Sequence, residues 1–474
     1  MLQGLGVRPS RSLVSRRRVS QWLLRLACAA ALSLPALATR GAADPPPAGD
    51  EAAARSPRKQ SPDTTYVQLR GLERVPDEGS AADAVARALL FVPRTLLDAL
   101  TLSMAYGAYV GTESSVPRVV HEVLTFDEGR IGIHPLVSVS SGSRAEFGAE
   151  LAYRVPGFGA GVSGLYGNAD NWGAKFDVVT EFTAGQVPCK IRGNAFISER
   201  DDLEFHGFGP SPQSDPRNPF LQGTEFVLFD QRLTRAAIAA TARPWALMQF
   251  FYNGFYQERD TSDFHLDGIA NSNNPALDEK HEQFYQEVGF RFDTRKNERK
   301  ITPGFRLEAY AGLSNGIGDD RGRFRRLGVD VAPYVPVLGR DRLLVPRFLL
   351  DTVDDLNEDQ PLAFTDYPRQ PTFRGASRTQ LLRTDLFSAV PSLEYRWPLT
   401  HNVSGHLFLD YLMVGDSVSH LTFHDAPYAY GVGFAIQGAR SEVGRIAVSS
   451  GSEGVRLMID VGLGFHVSDR THWL

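Results

Sequence analysis

The chain has 474 residues, of which 42% are hydrophobic and 22% are charged, and its net charge is −5. Beyond the extreme N-terminus no apolar stretch reaches the roughly 18 uncharged residues of a membrane-spanning helix, so a helical membrane protein is excluded. The acidic balance argues against nucleic acid as a partner, whereas 44 glycines and 10% aromatic residues favour a β-barrel over a large soluble protein.

The N-terminus is predicted to be a secretion signal covering residues 1–38. Basic residues at 16–18 precede an apolar run at 26–37, and 36–38 has the small-x-small pattern of a cleavage site. The mature chain then keeps one cysteine, Cys189, and we expect no internal disulfide.

Residues 39–79 are rich in Ala, Pro and Gly and are predicted to form a disordered leader. A helical pattern follows at 80–104, apolar except for one narrow polar stripe. The stripe consists of Asp83, Arg87, Arg94 and Asp98. Either the helix lies at the periplasmic membrane face or barrel mouth, or it is an ordinary packed helix. We assign 80–130 to this amphipathic helix and its connection.

From Ile131 onward the hydrophobic period changes to two, which is typical of β-strands. The last strand shows it most clearly, because Val455, Leu457, Ile459, Val461, Leu463 and Phe465 alternate with Arg456, Met458, Asp460, Gly462 and Gly464. The alternating segments run about ten residues, the length that crosses a membrane at a tilt. Strands of soluble sandwiches run about five or six residues.

Sixteen strands are predicted within 131–474, at 131–141, 144–155, 160–168, 172–184, 188–199, 223–241, 245–258, 283–295, 303–315, 321–334, 341–353, 386–398, 402–414, 427–438, 443–449 and 454–466. Short connections follow even-numbered strands, namely Pro156-Gly157, Ala184-Gly185, Arg243-Pro244 and 398–401. Long connections follow odd-numbered strands, at 200–222, 259–282, 354–385 and 415–426. This sorting is expected of a barrel with both ends in the periplasm. We therefore predict an all-β fold, a sixteen-stranded antiparallel transmembrane β-barrel of the bacterial outer membrane. It is expected to be a monomer in contact with outer-membrane lipid and lipopolysaccharide.

Motifs in the second half resemble those of the BamA/TamA-type outer-membrane assembly-factor family, the bacterial surface-antigen barrels. Phe373-Arg374-Gly375 matches the Arg-Gly motif of the family's sixth outer loop, and Glu394-Tyr395-Arg396-Trp397-Pro398 matches the end of its next strand. Phe408-Leu409-Asp410 and Gly431-Val432-Gly433 match elements of the two strands that follow, and 205–210 resembles a Gly-x-Gly element of an earlier outer loop. The resemblance covers about residues 130–474.

The resemblance implies that the sixth loop folds back into the lumen and that its arginine pairs with acids on neighbouring strands. Alternation sets Glu394 and Asp410 inward on those strands. The predicted loop-lock motif is Phe373, Arg374, Gly375, Glu394 and Asp410.

The function that the resemblance implies is non-enzymatic assembly or translocation of outer-membrane molecules. The family handles its clients with periplasmic POTRA repeats, whereas 39–130 predicts one leader and one helix. A separate periplasmic protein is then a candidate partner for client handling. The alternative is an outer-membrane channel or structural surface antigen with no insertase role.

The sequence gives little sign of catalysis or of a cofactor. It has no zinc-type His or Cys spacing, and the inward-facing His134 and His406 have no partner at a catalytic spacing. The acidic cluster of Asp351, Asp354, Asp355, Glu358 and Asp359 is either a solvated loop, which we favour, or a Ca²⁺ site.

Overall fold

The computed structural model describes residues 125–461, with internal gaps at 128–129, 142, 169, 219–224, 262–279, 296–301, 319–321, 338–341, 358–361, 370–371, 377–379, 382, 400–402 and 438–441. The predicted signal, leader and 80–104 helix lie outside the described residues, as does the end of the last predicted strand. None of the helices in the described part of the chain has the length and apolar character that crossing a membrane requires.

Sixteen strands form one antiparallel sheet in the described part of the chain. They are β1 (Ile131–Ser140), β2 (Glu146–Val155), β3 (Phe158–Asn168), β4 (Asn171–Ala184), β5 (Val187–Phe205), β6 (Val227–Trp245), β7 (Met248–Asp260), β8 (Lys280–Asp293), β9 (Gly304–Gly316), β10 (Phe324–Pro336), β11 (Leu343–Asp355), β12 (Phe387–Pro398), β13 (Val403–Tyr411 and Met413–Gly415), β14 (Tyr428–Gln437), β15 (Glu442–Gly451) and β16 (Gly454–Val461). Two further strands of two residues each, Thr125–Phe126 and Gln380–Leu381, pair with β1 and β5.

The sheet closes on itself between its last and first strands. Met458 of β16 lies opposite Ser140 of β1, and Val461 lies opposite Val137, in antiparallel register. Every other barrel strand pairs with its two neighbours in the chain. The predicted all-β, sixteen-stranded closed barrel is therefore confirmed.

The long connections lie where the sequence predicts them, after odd-numbered strands. The longest are 206–226, 261–279, 356–386 and 416–427, and the strand ends that they join lie at one end of the barrel, here called the long-loop end. The opposite, short-turn end carries tight turns such as 156–157, where Gly157 has φ 75° and needs the freedom of glycine.

Most strand boundaries differ from the prediction by a few residues, and two of the differences have a clear physical reason. β5 continues to Phe205 instead of ending at 199, because its charged residues are paired rather than solvated. Arg200 contacts Glu146 of β2 at 2.9 Å, and Asp201 contacts Arg144 at 2.8 Å. A run of arginine and aspartate residues is typical of a loop, and the partners of these residues, on β2 and in the loop before it, become apparent only in the folded sheet.

The predicted turn at Arg243-Pro244 is also wrong, since β6 runs on to Trp245 and the turn lies at 246–247. The pairing of β6 with β7 shifts register between Ala242 and Trp245. Proline is tolerated at such an irregularity because it has no N–H to donate to the ladder.

The two faces of the barrel have opposite character. Leu151, Val162 and Val288 lie near the middle of their strands, yet they are 55%, 55% and 58% exposed on the outer face. Inside, Arg291 and Glu308 are buried and lie 2.7 Å apart. An apolar surface around a charged interior inverts the distribution found in soluble proteins.

The charges on the inner wall form a continuous ladder across β8 to β11. Glu308 contacts Arg291 at 2.7 Å and Arg306 at 3.0 Å, while Asp330 contacts Arg347 at 2.8 Å and Arg306 at 3.8 Å. Each of these half-buried or buried charges thus has an opposite charge beside it, which offsets the cost of removing it from water.

Candidate functional site

The β11–β12 loop, residues 356–386, turns into the barrel at the long-loop end. On one wall Gln380 donates a hydrogen bond to Glu204 of β5 at 2.7 Å. Phe364 packs against Phe229 of β6, with ring centroids 5.0 Å apart. Asp366 forms an ion pair with Arg259 of β7 at 2.8 Å.

The same loop reaches the opposite wall through Phe373 and Arg374. Arg374 forms ion pairs with Glu394 of β12 and Asp410 of β13. Phe373 packs beside Ala429 of β14, and the hydroxyl of Ser449 on β15 donates to the carbonyl of Arg374 at 3.0 Å. Because β5–β7 and β12–β15 lie on opposite sides of a ring of sixteen strands, the loop crosses the lumen.

Arg374 holds two carboxylates at once. Its Nε and Nη2 donate to the two oxygens of Asp410 at 2.8 and 2.7 Å, and its Nη1 donates to Glu394 at 2.5 Å. Its backbone N–H also donates to Asp410, at 3.2 Å. The guanidinium carbon lies 3.8 Å from the centre of the Phe408 ring, so charge-assisted hydrogen bonds and a cation–π contact fix the same group.

Strand register explains why both acids face this arginine. Glu394 lies opposite Phe408, and Asp410 lies opposite Ser392, two residues along each strand. All four side chains therefore lie on the inner face. Glu394 also accepts a hydrogen bond from Arg396, so two arginines balance two carboxylates on this wall.

Phe373 and Gly375 flank the arginine for packing reasons. Phe373 is 3% exposed and packs in a small apolar cluster with Val390, Leu412, Val414 and Ala429. A Cβ atom at Gly375 would lie 2.5 Å from the Phe373 ring and 2.9 Å from Cβ of Ala429. Only glycine fits this close approach. The structure thus brings together all five residues of the predicted loop-lock motif.

The β5–β6 loop, residues 206–226, is tied to the β11–β12 loop, a link that the sequence did not predict. Gly209 N–H donates to the carbonyl of Thr384 at 3.0 Å, and Thr384 N–H donates to that of Gly207 at 3.1 Å. Arg217 donates to Asp385 at 2.8 and 3.1 Å and to Asp215 at 2.7 Å. These hydrogen bonds to Asp385 and Asp215 raise the pKa of Arg217.

Aromatic side chains fill the junction of the two loops with the wall. The ring of Phe364 lies 4.7 Å from that of Phe205, and Phe208 lies 5.2 Å from both Phe205 and Tyr367. Arg217 lies over Phe208 at 5.4 Å. The motif at 205–210 carries part of this junction, but nothing in the sequence identifies Arg217 and Asp385 as partners.

Asp366 anchors the first half of the β11–β12 loop to β7 and β8. It contacts Arg259, accepts a hydrogen bond from Gln283 at 3.1 Å, and lies 3.0 Å from His281. Burial would raise the pKa of Asp366, but Arg259 and His281 outweigh it and hold that pKa below its ordinary value.

The three described residues of the acidic cluster have separate partners. Asp351 pairs with Arg326 in the lumen at 2.7 Å, and Asp354 pairs with Arg325 at 2.5 Å where both are exposed. Asp355 instead accepts backbone N–H groups of its own loop. Glu358 and Asp359 lie outside the described residues. In the described part of the chain no group of three or more His, Cys, Asp and Glu residues could hold a metal ion.

The two inward-facing histidines lie apart from each other. His406 is buried on β13, 5.9 Å from the Phe408 ring. His134 lies opposite Glu150 in the register of β1 with β2.

No family model and no curated protein matches the chain. Among solved structures it is similar to BamA from Haemophilus ducreyi lacking POTRA domains 1–3, with a TM-score of 0.49 and 12% identity over 70% of each chain. It is also similar to CdiB from Acinetobacter baumannii and CdiB from Escherichia coli, with TM-scores of 0.44 and 0.42 and 10% identity to each. These matches cover 70% and 69% of this chain, which spans only 60% and 62% of the two CdiB chains.

Proposed function

We propose that the chain is a transmembrane barrel of the bacterial outer membrane that acts as a BamA/TamA-type assembly or translocation factor. Its outer face fits a lipid environment, because Leu151, Val162 and Val288 are exposed where a soluble protein would have polar residues. Its sheet is closed by four residue pairs between β1 and β16, and a closed sheet is one of the two structures that can span a membrane. Outer-membrane lipid and lipopolysaccharide are the surroundings that such a surface requires.

The observation that carries the proposal is the contact of Arg374 with Glu394 and Asp410. These residues belong to the motifs on which the resemblance to the family rests. One lies in the β11–β12 loop, and the other two lie on β12 and β13. A planar guanidinium that cannot lose its charge is suited to holding two carboxylates in one geometry. The resulting lock keeps the β11–β12 loop across the lumen.

A lumen crossed by an anchored loop favours gated activity over steady diffusion. The loop contacts β5–β7 on one wall and β12–β15 on the other, so solute passage requires these contacts to break. We infer that a client or a periplasmic partner supplies the competing interactions that move the loop.

The second candidate is an outer-membrane channel. It is favoured by the charged ladder on β8 to β11, since rings of charged side chains line many selective pores. A stably open channel would show steady conductance without any client.

Both candidates are tested on the purified full chain reconstituted in liposomes and planar bilayers. We expect the liposomes to accelerate folding of a urea-denatured outer-membrane barrel relative to empty liposomes, and to show little steady conductance. Arg374→Ala should raise the conductance by loosening the loop. Arg325→Ala is the matched control, because it removes an arginine from a pair whose side chains are 61% and 53% exposed.

Steady ohmic conductance of the unaltered protein, together with no acceleration of folding, would establish the channel instead. A complementary experiment in cells depletes the chain and measures the amounts of other outer-membrane barrels. Loss of those barrels supports the assembly role, and unchanged amounts contradict it.

A further inference from the structure

Two guanidinium groups, those of Arg235 and Arg259, lie on the wall that β6 and β7 form beside the β11–β12 loop. Arg235 of β6 lies opposite Gln257 of β7 and donates to its side chain at 2.9 Å. Arg259 lies two residues along β7, on the same inner face. Residues placed diagonally on adjacent strands lie about 7–8 Å apart, so the two guanidinium groups are neighbours.

Arg369 adds a third guanidinium from the loop itself. It follows Asp366, the carboxylate that pairs with Arg259, by one short segment of chain. Arg326 lies near as well, but it is already bound to both oxygens of Asp351. Asp366 is the carboxylate that pairs with Arg259 at this place.

Burial and the neighbouring positive charges affect the pKa of Arg369. Burial and the nearby Arg259 lower the pKa of Arg369 to about 9, with a further contribution from Arg235 that Asp366 only partly opposes. Like charges held together in a desolvated place raise the free energy of the closed loop.

Arg369 and Arg259 also have donors with no acceptor among the described residues. Nε and Nη2 of Arg369 are shielded from water, and neither donates a hydrogen bond to any residue in the described ranges. Nε of Arg259, a residue only 5% exposed, is in the same position. Buried donors without an acceptor are costly and rare in folded proteins.

We propose that Arg235, Arg259 and Arg369 form an anion-binding site in the lumen that takes a phosphate group. A tetrahedral phosphate offers several acceptor oxygens to planar guanidinium forks and carries a charge opposite to theirs. Arg235 is oriented by the Phe255 ring, 4.7 Å from its guanidinium carbon. The phosphate comes either from solution or from a lipid headgroup, and the chemistry of recognition is the same. This site does not depend on whether the barrel assembles proteins or conducts solutes.

The test uses the full chain in micelles of a sugar-headgroup detergent and a phosphate-free buffer. Binding is measured by calorimetry and by the unfolding temperature in two arms. One arm adds inorganic phosphate. The other adds phosphatidic acid to the micelles, with diacylglycerol as the lipid that lacks the phosphate. Binding in the first arm identifies a soluble phosphate, and binding in the second alone identifies a lipid. Absence of binding in both arms overturns the proposal.

Arg369→Gln is the decisive variant because it should stabilise the protein without phosphate and weaken the binding of phosphate. Removing an unsatisfied buried charge should raise the unfolding temperature in phosphate-free buffer. The affinity for the phosphate probe should fall by about tenfold, or about 1.4 kcal/mol. Arg369→Lys keeps the charge without the fork and should give an intermediate affinity. Arg325→Gln, at the exposed pair with Asp354, should leave the affinity unchanged. Equal affinities of Arg369→Gln and the unaltered chain would overturn the assignment of these arginines.

Discussion

Arg374 and Asp410 form a bidentate ion pair with N–O distances of 2.8 and 2.7 Å, and the side chain of Asp410 has no exposure to solvent. The pair joins the β11–β12 loop to β13. Glu394 of β12 contacts the remaining Nη1 of the same arginine. The loop therefore cannot leave the lumen without separating one arginine from two carboxylates.

Arg374→Ala should loosen the β11–β12 loop and lower the yield of folded protein, and Arg374→Lys should rescue it in part because lysine keeps the charge but not the fork. Breaking a fully buried pair costs roughly 3–5 kcal/mol, and less in a wet lumen. Limited proteolysis of 356–386 and unfolding in urea measure the effect, with Arg325→Ala at the exposed pair as the control. A cysteine at position 374 that reacts at once with an impermeant maleimide on intact cells, with folding unchanged, would place the loop outside.

The closed sheet predicts heat-modifiable migration in detergent gels and fractionation with the outer membrane. A barrel has no edge strand at which unfolding can start, so it resists detergent until it is heated. Gel mobility before and after boiling, on separated membrane and soluble fractions, measures this. Recovery in the soluble periplasm without a mobility shift would refute the transmembrane barrel.

Lysine at Leu457 should impair folding, whereas lysine at Met458 should be tolerated. Leu457 is exposed on the outer face, and Met458 lies opposite the buried Ala447 in the register of β15 with β16. A lysine facing lipid at the membrane midplane costs roughly 2–4 kcal/mol, and the luminal face is already polar. The two variants serve as controls for each other, and equal unfolding midpoints would show that the register is wrong.

Gly209→Ala should weaken the tie between the β5–β6 and β11–β12 loops. Gly209 has φ 79°, and a Cβ there would lie 2.4 Å from Asp215 Oδ2, so alanine strains the backbone and displaces Asp215 from Arg217. Residues in such conformations cost about 1–3 kcal/mol. Proteolysis rates of both loops measure the change. Gly318→Ala is a matched control, since Gly318 has φ 89° but nothing lies within 4 Å of its added Cβ. Identical rates in the two variants would show that the contact with Asp215 is unimportant.

Much of the fold could be predicted because strand alternation is a local property of the sequence. The inward placement of Glu394 and Asp410 follows from that alternation, and the structure places both side chains inside. The extension of β5 to Phe205 could not be predicted, since its charged residues find their partners on β2 and its neighbouring loop.

The contacts across the lumen could not be predicted from the sequence either. Arg217 and Asp385 are 168 residues apart, and Arg259 and Asp366 are 107 apart. Such pairs are set by the circumference of the closed sheet and by the path of a loop inside it. Neither quantity leaves a periodic signal in the chain, so the cluster of Arg235, Arg259 and Arg369 emerges only in three dimensions.

The β11–β12 loop is anchored by Arg374 on one side and by Asp366 on the other, and these two anchors can form at different stages of folding. Arg374 is 20 residues from Glu394 and 36 from Asp410, so this anchor can form as soon as β12 and β13 pair. The contact of Asp366 with Arg259 needs the sheet to curl until β7 faces the loop. Closing longer segments of chain costs more entropy and slows folding. The loop should therefore be tethered early at one side and complete its crossing late, which makes the Asp366 contact a marker of barrel closure.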